Sequence, residues 1–346
     1  MSNTKGYAAY SSTEDLKPYD FDRRETGPKD VKIKIDYCGI CHSDIHFAHD
    51  DWGMTQYPVV PGHEIIGHVT ETGSDVTKFN VGDLVGVGCL VDSCGECPSC
   101  KDDLEQYCQT GMVLTYGSPD PVMGGVTHGG YSTQIVVTED FVLKVSEKLD
   151  TKAVAPLLCA GITTYSPLNY WKVSKGQKVG IIGLGGLGHM GVKFAAAMGA
   201  HVVMITTSPE KGKDARGLGA HEVLISKDPD QMAASAGTFD LLLNTIPVHH
   251  DLNPYIPLLK VGKTMVVLGA SPVDLHTMGL AFGRKCVAGS LIGGIRETQE
   301  MLDFCAEHNI VSDVEMITME DVNTAWDRVI KADVKYRFVI DMKAFH

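Results

Sequence analysis

The chain has 346 residues, 44% of them hydrophobic and 21% charged. That is the profile of an ordinary globular protein, long enough for about two domains. A formal net charge of -13 argues against nucleic acid and anionic membrane surfaces as partners, because both attract Lys and Arg.

The opening segment, Met1 to Tyr7, has no apolar run behind a basic start, so no signal peptide is expected. No stretch approaches the roughly 18 apolar residues that a spanning helix needs. A cytoplasmic location is expected. Thiols stay reduced there, and the ten cysteines read as metal ligands and core fillers rather than as disulfides.

Residues 1–152 are rich in short alternating segments. Val31-Lys32-Ile33-Lys34-Ile35 alternates apolar and polar, as a half-buried strand does. Ile65 to Val69 and Leu84 to Val87 predict further strands, punctuated by Gly, Asp and Pro. This lobe reads as a β-rich barrel. Within it Cys94, Cys97, Cys100 and Cys108 follow the spacing C-x2-C-x2-C-x7-C. Four thiolates so placed close a tetrahedral shell around one zinc ion and leave no open position. Free thiols or two disulfides are the bland alternative, which the regular spacing disfavours. A closed shell is structural, so any catalytic metal has to be sought elsewhere.

The character changes near Ala153. Lys178 to Ile182, His201 to Ile205, Leu241 to Leu243 and Met265 to Leu268 are apolar strands, with a helix through Ala195 to Met198. Alternating strands and helices imply βαβ units and a parallel sheet, here a doubly wound α/β domain over 153–292. Its first strand leads into Gly183-Leu184-Gly185-Gly186-Leu187-Gly188, a G-x-G-x-x-G loop that opens a helix. In that context the glycines make a tight turn, admit a pyrophosphate and let helix and strand pack closely. The helix N-terminus adds amide donors and positive dipole.

The next strand ends in Thr206-Thr207-Ser208-Pro209-Glu210-Lys211. NAD enzymes usually place Asp or Glu at that point for the ribose hydroxyls. Hydroxyls and Lys211 suit an extra ribose phosphate instead, so NADP is favoured over NAD. Lys211 as a plain solvated lysine is the other possibility. Beyond Gly293, Thr298 to His308 and Met319 to Lys331 predict helices and Arg337 to Ile340 a final strand. This tail, 293–346, is expected to return to the first lobe.

Cys41-His42-Ser43-Asp44, Gly62-His63-Glu64, the four-cysteine loop, Pro156 through Tyr165, the loop at 183–188 and Gly289 through Gly294 together carry a resemblance. With them the chain resembles the zinc-dependent medium-chain alcohol dehydrogenases over nearly its whole length, the cinnamyl alcohol dehydrogenase branch above all. The resemblance implies a GroES-like barrel catalytic domain joined to a Rossmann NADP-binding domain. It implies two zinc ions per chain, one catalytic and one structural, and NADP(H). Cys41, His63 and Cys159 are implied as the catalytic zinc ligands. Cys2His is the recognised donor set of alcohol dehydrogenases, so this assignment is not independent of the family. Glu64 is similar to the family residue that can enter the shell; a carboxylate standing beside the shell is the alternative. Asp44 is implied to orient His63.

Ser43 is similar to the first hydroxyl of the family's proton relay, with His46 as its solvent-side base. An ordinary surface histidine is the alternative for His46. Thr163, Thr245, Gly269, Ser290 and Ile292 match positions lining the cofactor cleft. Arg337 is a further candidate, for the pyrophosphate. Trp52 is a candidate wall of the substrate pocket, or plain core.

The expected reaction passes a hydride between NADP(H) and small primary alcohols or aldehydes, aromatic or aliphatic, and the branch resemblance implies a homodimer. Two other readings compete. One is an NAD-dependent polyol dehydrogenase, against which the missing acidic residue after Ile205 speaks. The other is a non-catalytic zinc and dinucleotide redox sensor, which needs no proton relay.

Overall fold

In a computed structural model, which describes residues 2–345, β1 (Ser2–Ala8) and β2 (Lys17–Arg23) form an antiparallel pair. The alternation of Val31, Ile33 and Ile35 with lysines builds the inner face of β3 (Asp30–Gly39). All three apolar residues are fully buried while Lys34 faces solvent, as the pleat requires. Helix α1 (His42–Ala48), β4 (Ile65–Thr72), β5 (Leu84–Val87) and β6 (Leu90–Asp92) come next. A short helix α2 (Pro98–Lys101) lies in the four-cysteine loop. It is followed by β7 (Val113–Leu114), β8 (Gln134–Thr138), β9 (Leu143–Lys144) and α3 (Thr151–Val154). β3, β4, β5 and β9 are successive neighbours in one sheet, and β8 also pairs with β3.

These elements belong to a unit that runs to Cys159 and resumes at Gly293. Its first break falls later than 152/153, because the helical turns from Thr151 to Leu158 pack on β3 and β4.

The second unit is Ala160–Ile292. It opens with α4 (Ala160–Tyr170). Strands and helices then alternate: β10 (Lys178–Ile182), α5 (Gly188–Ala197), β11 (His201–Thr206), α6 (Pro209–Gly217), β12 (Glu222–Ile225), α7 (Pro229–Ala234) and β13 (Phe239–Asn244). β14 (His250–Asp251), β15 (Leu259–Val267), β16 (Val273–Asp274), α8 (Thr277–Ala281) and β17 (Cys286–Gly289) complete it. The main sheet has the order β12-β11-β10-β13-β15-β17, with every pairing parallel. Parallel strands covered on both faces must be apolar throughout. Ile182, Val203, Ile205, Phe239, Leu242 and Met265 accordingly share one core. The strand order reverses at β10, so the carboxyl ends of β10 and β13 flank the crevice where such sheets bind ligands. Met265 and its neighbours prove to be the end of the longer β15, which stops at Val267.

In the tail, α9 (Ile295–His308) starts three residues before the expected Thr298, with Gly294 as its N-cap. The expected helix from Met319 divides into a 3-10 turn and α10 (Val322–Ile330). Thr318 and Asp321 form a capping box that tightens that first turn. β18 (Val314–Ile317) and β19 (Arg337–Asp341) then join the seven-stranded sheet of the first unit, β19 antiparallel to β3.

Candidate metal centre and dinucleotide loop

Cys41 is the N-cap of α1, with φ -105 and ψ 150. Asp44, three residues on, folds back and its Oδ2 accepts the Cys41 backbone N–H at 2.8 Å. This capping arrangement fixes the Cys41 side chain against the helix start. The same carboxylate accepts the Tyr131 hydroxyl on Oδ2 at 3.1 Å and the Gly62 N–H on Oδ1 at 3.2 Å. Its Oδ1 also lies 3.1 Å from His63 Nδ1. With Nδ1 so committed, Nε2 is the ring nitrogen left to ligate. The His63 ring is further held by stacking on Tyr116, with centroids 5.6 Å apart.

Cys159 follows the helical turn Ala155–Leu158 and sets its Sγ 3.7 Å from that of Cys41. Glu64 is fully buried beside them. Its approach needs glycine at position 39, where a Cβ would lie 2.0 Å from Glu64 Oε2. Arg337, from β19, donates through Nη2 to Glu64 Oε1. Glu64 Oε2 is buried without a hydrogen-bond partner. The ligand atoms of Cys41, His63, Glu64 and Cys159 all lie within 4.8 Å of one another.

The electrostatics follow from this crowding. The Cys159 thiol and the His63 imidazole hold the Cys41 thiol well below its usual range, against burial. Cys159 is pushed up by its hydrogen bonds to Cys41 and Cys89 and by burial. Burial lifts Glu64 to about 7, although Arg337 opposes it. Burial would lower His63, but the Asp44 carboxylate raises it well above an ordinary imidazole. Two sulfurs and an imidazole nitrogen are the donors zinc prefers, and an orphaned buried carboxylate oxygen beside them favours a cation. The residues present therefore fit a zinc ion.

The second cluster is also assembled. Sγ atoms of Cys94 and Cys100 are 3.9 Å apart, those of Cys97 and Cys100 3.5 Å. All four sulfurs, Cys108 included, lie within 4.8 Å of one another. Backbone N–H groups of Cys97, Cys100 and Cys94 point at Cys94, Cys97 and Cys108 Sγ, at 3.4 to 3.5 Å. Bonds of that kind stabilise thiolates, and the Thr110 hydroxyl with the Cys94 N–H pulls Cys108 down to about 6. This set too fits zinc.

Ser43 and His46 lie three apart on α1, on one face. His46 Nδ1 is 2.6 Å from Asp51 Oδ2, and its ring stacks on His42 at 4.9 Å. Trp52 is 44% exposed, with its ring 5.6 Å from His46, so it is not core.

In the second unit the loop at 183–188 joins β10 to α5. Gly183 has φ 93. A Cβ on Gly188 would strike Gly183 O at 1.9 Å, so close strand–helix packing demands glycine there. A Cβ on Gly185 would meet nothing within 4 Å. The protein's own packing does not require that glycine, whereas a pyrophosphate approaching the backbone would. Leu184 is buried, and Gly186 and Leu187 are half-buried between these glycines. Thr206 ends β11, Thr207 is exposed, and Ser208 caps α6 by accepting the Lys211 N–H. The Ser208 hydroxyl donates to Glu210 Oε2 at 2.9 Å. Lys211 is exposed. Thr245 Oγ1 reaches the carbonyls of Ile182 and Gly183 at 2.9 and 3.0 Å. Thr163 is buried on α4, and Gly269 and Ser290 follow β15 and β17. Ile292 has φ 37, a left-handed conformation that a β-branched residue adopts only when its surroundings hold it.

Arg337 is buried and paired with Glu64. Its signal was visible in sequence: a lone cation opening an apolar strand must be buried with a partner. Tyr131, Tyr116 and Cys89 carried no such signal, since their positions follow only from the fold.

Residues 27–147 match the family signature described as an alcohol dehydrogenase GroES-like domain, and residues 186–307 that described as a zinc-binding dehydrogenase. The chain belongs to the zinc-binding alcohol dehydrogenase family. It is 54% identical over 342 residues to the aldehyde reductase YahK of Escherichia coli, covering 97% of each chain. Among solved structures it is similar to a cinnamyl alcohol dehydrogenase of Sorghum bicolor, with 46% identity, TM-score 0.96, and coverage of 99% and 98% of the two chains. A cinnamyl alcohol dehydrogenase of Helicobacter pylori, solved with NADP(H), matches at 45% identity and TM-score 0.92, with the same coverage.

Proposed function

We propose that this dehydrogenase interconverts aldehydes, aromatic or aliphatic, and primary alcohols with NADP(H), mainly as an aldehyde reductase. The carrying observation is the buried donor set of Cys41, His63, Cys159 and Glu64 in the barrel unit. It occurs in one chain with a dinucleotide loop whose following strand ends without an acidic residue. Cys41, His63 and Cys159 would hold a catalytic zinc, with Glu64 as an exchangeable fourth ligand. Cys94, Cys97, Cys100 and Cys108 would hold a structural one. The catalytic ion contributes Lewis acidity toward a carbonyl or hydroxyl oxygen, and the dinucleotide contributes the hydride.

The chain's own residues orient and protect this chemistry. Asp44 fixes the His63 ring, and Arg337 anchors one Glu64 oxygen. Ser43 and His46 carry the proton between site and solvent. Asp51 occupies His46 Nδ1, which leaves Nε2 as the exchanging nitrogen. Trp52, beside His46, is assigned to the substrate pocket. The second unit is assigned the cofactor: Gly183 to Gly188 the pyrophosphate, and Thr206, Thr207, Ser208 and Lys211 the ribose phosphate. Thr163, Ser290 and Ile292 are assigned to the nicotinamide side, and Thr245 and Gly269 to the lining of the cofactor cleft. The NADP(H) in the Helicobacter pylori relative supports that choice.

Steady-state oxidation of NADPH by benzaldehyde and a series of aliphatic aldehydes tests the reading. Lys211→Ala is expected to raise KM for NADPH about 10-fold, with KM for NADH little changed. Equal effects on both would undo the phosphate assignment. Zinc-loaded protein that turns over no aldehyde would point to a sensor instead.

A homodimer in the cytoplasm completes the proposal. Among the described residues no strand pairs with the outer edge of β17, and Val261, Met278 and Phe282 are 76%, 61% and 84% exposed in the same unit. Light scattering that reads a single 37.4 kDa chain would remove the dimer. None of the ten cysteines is paired in a disulfide, which suits a reducing compartment.

A further inference from the structure

We propose that His250 is a positioning residue for the dinucleotide site, acting as a neutral Nδ1–H imidazole that accepts a hydrogen bond from Asn244. The inference rests on the dinucleotide reading of the loop at 183–188.

The bond directions are fixed by elimination. His250 Nδ1 lies 2.7 Å from the Val248 carbonyl, which can only accept. Nδ1 therefore carries the proton, and a neutral ring leaves Nε2 bare. Nε2 lies 2.7 Å from Asn244 Nδ2, which can only donate. The amide cannot be reversed, because Asn244 Oδ1 accepts the Ile246 N–H at 3.1 Å. Each polar atom has one role, and all the roles agree.

What this network holds is the turn at the carboxyl end of β13. Asn244 is fully buried. Its carbonyl accepts the Leu268 N–H at 3.0 Å, and the next residue, Thr245, bonds the Ile182 and Gly183 carbonyls. A Cβ on Gly183 would meet Ile246 Cγ1 at 3.1 Å, and one on Gly269 would meet Ile246 O at 2.4 Å. The turn is thus seated between the glycine loop and the end of β15. An error in its position is passed directly to Gly183.

A second proton on His250 would set an N–H against the Asn244 amide N–H. The bond would become a repulsion, and the turn would lose its outer support. The ring is half-exposed, and the charged groups nearby have partners of their own. On β16, Asp274 is taken by His249 at 3.2 Å. On β14 itself, Asp251 Oδ1 accepts from the backbone and side chain of Asn253. On β13, Asp240 sits at the far end and pairs with Lys260 and Lys263.

Long-range 1H–15N correlation NMR of the zinc-loaded enzyme reads the tautomer without cofactor. The Nδ1–H form is expected at about pH 8, and an Nε2–H form would overturn the inference. NADPH dissociation constants at about pH 8, from fluorescence quenching, are expected to stay within about 3-fold of native in His250→Gln, because glutamine keeps an acceptor for Asn244. A loss as large in His250→Gln as in a variant with no acceptor would refute the role. His250→Phe, with no acceptor, is expected to bind NADPH about 10-fold more weakly at about pH 8; unchanged binding would count against it. Native enzyme that binds no NADPH would defeat the dinucleotide reading, and the tautomer would then decide the His250 assignment alone.

Discussion

Cys41→Ser is expected to lower kcat/KM for NADPH-dependent benzaldehyde reduction by about 1,000-fold or more, while the protein stays folded. The reason is local. Cys41 Sγ belongs to the buried donor set and lies 3.7 Å from Cys159 Sγ. A serine hydroxyl is a harder donor than a thiolate and is not ionised near neutral pH, so the site would lose most of its affinity for zinc. The backbone of Cys41 would keep its bond to Asp44, because that bond uses the N–H and not the side chain. Elemental analysis should therefore find one zinc per chain in place of two, with an unchanged circular dichroism spectrum. Activity within about 10-fold of native in a variant holding one zinc would place the reaction somewhere else.

The second large effect lies in the other cluster and has the opposite character. Cys100→Ala is expected to lower the thermal midpoint by about 10 °C or more, with a far smaller loss in kcat among molecules still folded. Cys100 is the buried member of its set, and its Sγ contacts those of both Cys94 and Cys97. The loop has little apolar core of its own: Cys94, Glu96 and Lys101 are near or in solvent. Its order therefore depends on the shared ion more than on packing. Differential scanning calorimetry with and without a chelator gives the check. An unchanged midpoint would mean that the loop folds without its metal.

The two experiments together separate a site that does chemistry from one that holds shape. A sensor would lose metal in both variants and change no turnover in either.

Much of this was legible in the residues. The C-x2-C-x2-C-x7-C run announced a four-sulfur site because short spacings bring thiols together whatever the rest of the fold does. The glycine loop was legible for a similar reason, as strand, turn and helix are local. Apolar strands such as Val202 to Ile205 could be placed because a parallel sheet leaves no polar face to confuse the pattern. The catalytic set was legible only through family resemblance. Cys41, His63 and Cys159 come from distant stretches, and no local period ties them to one another.

Element boundaries were less legible. The helix expected at Met319 begins as a 3-10 turn because a capping box intervenes. The barrel unit extends to Cys159 because helical turns that look like a linker pack against strands. Arg337 is a pyrophosphate candidate by resemblance only; the identity of its partner Glu64 was not legible, because it depends on β19 pairing with β3. Trp52 was left between core and pocket wall, and only its exposure decides against core. The Asn244–His250 network had no signature, since it needs a side chain, a turn and a carbonyl to meet in one place.

Asp44 collects Cys41, Gly62, His63 and Tyr131 on two oxygens. Three of these come from loops and one from a helix cap, so a single acceptor sets the spacing of groups that the chain delivers separately. Tolerance to sequence drift must then be lopsided. Any one donor can be lost with the other three still in register, but the acceptor has no understudy.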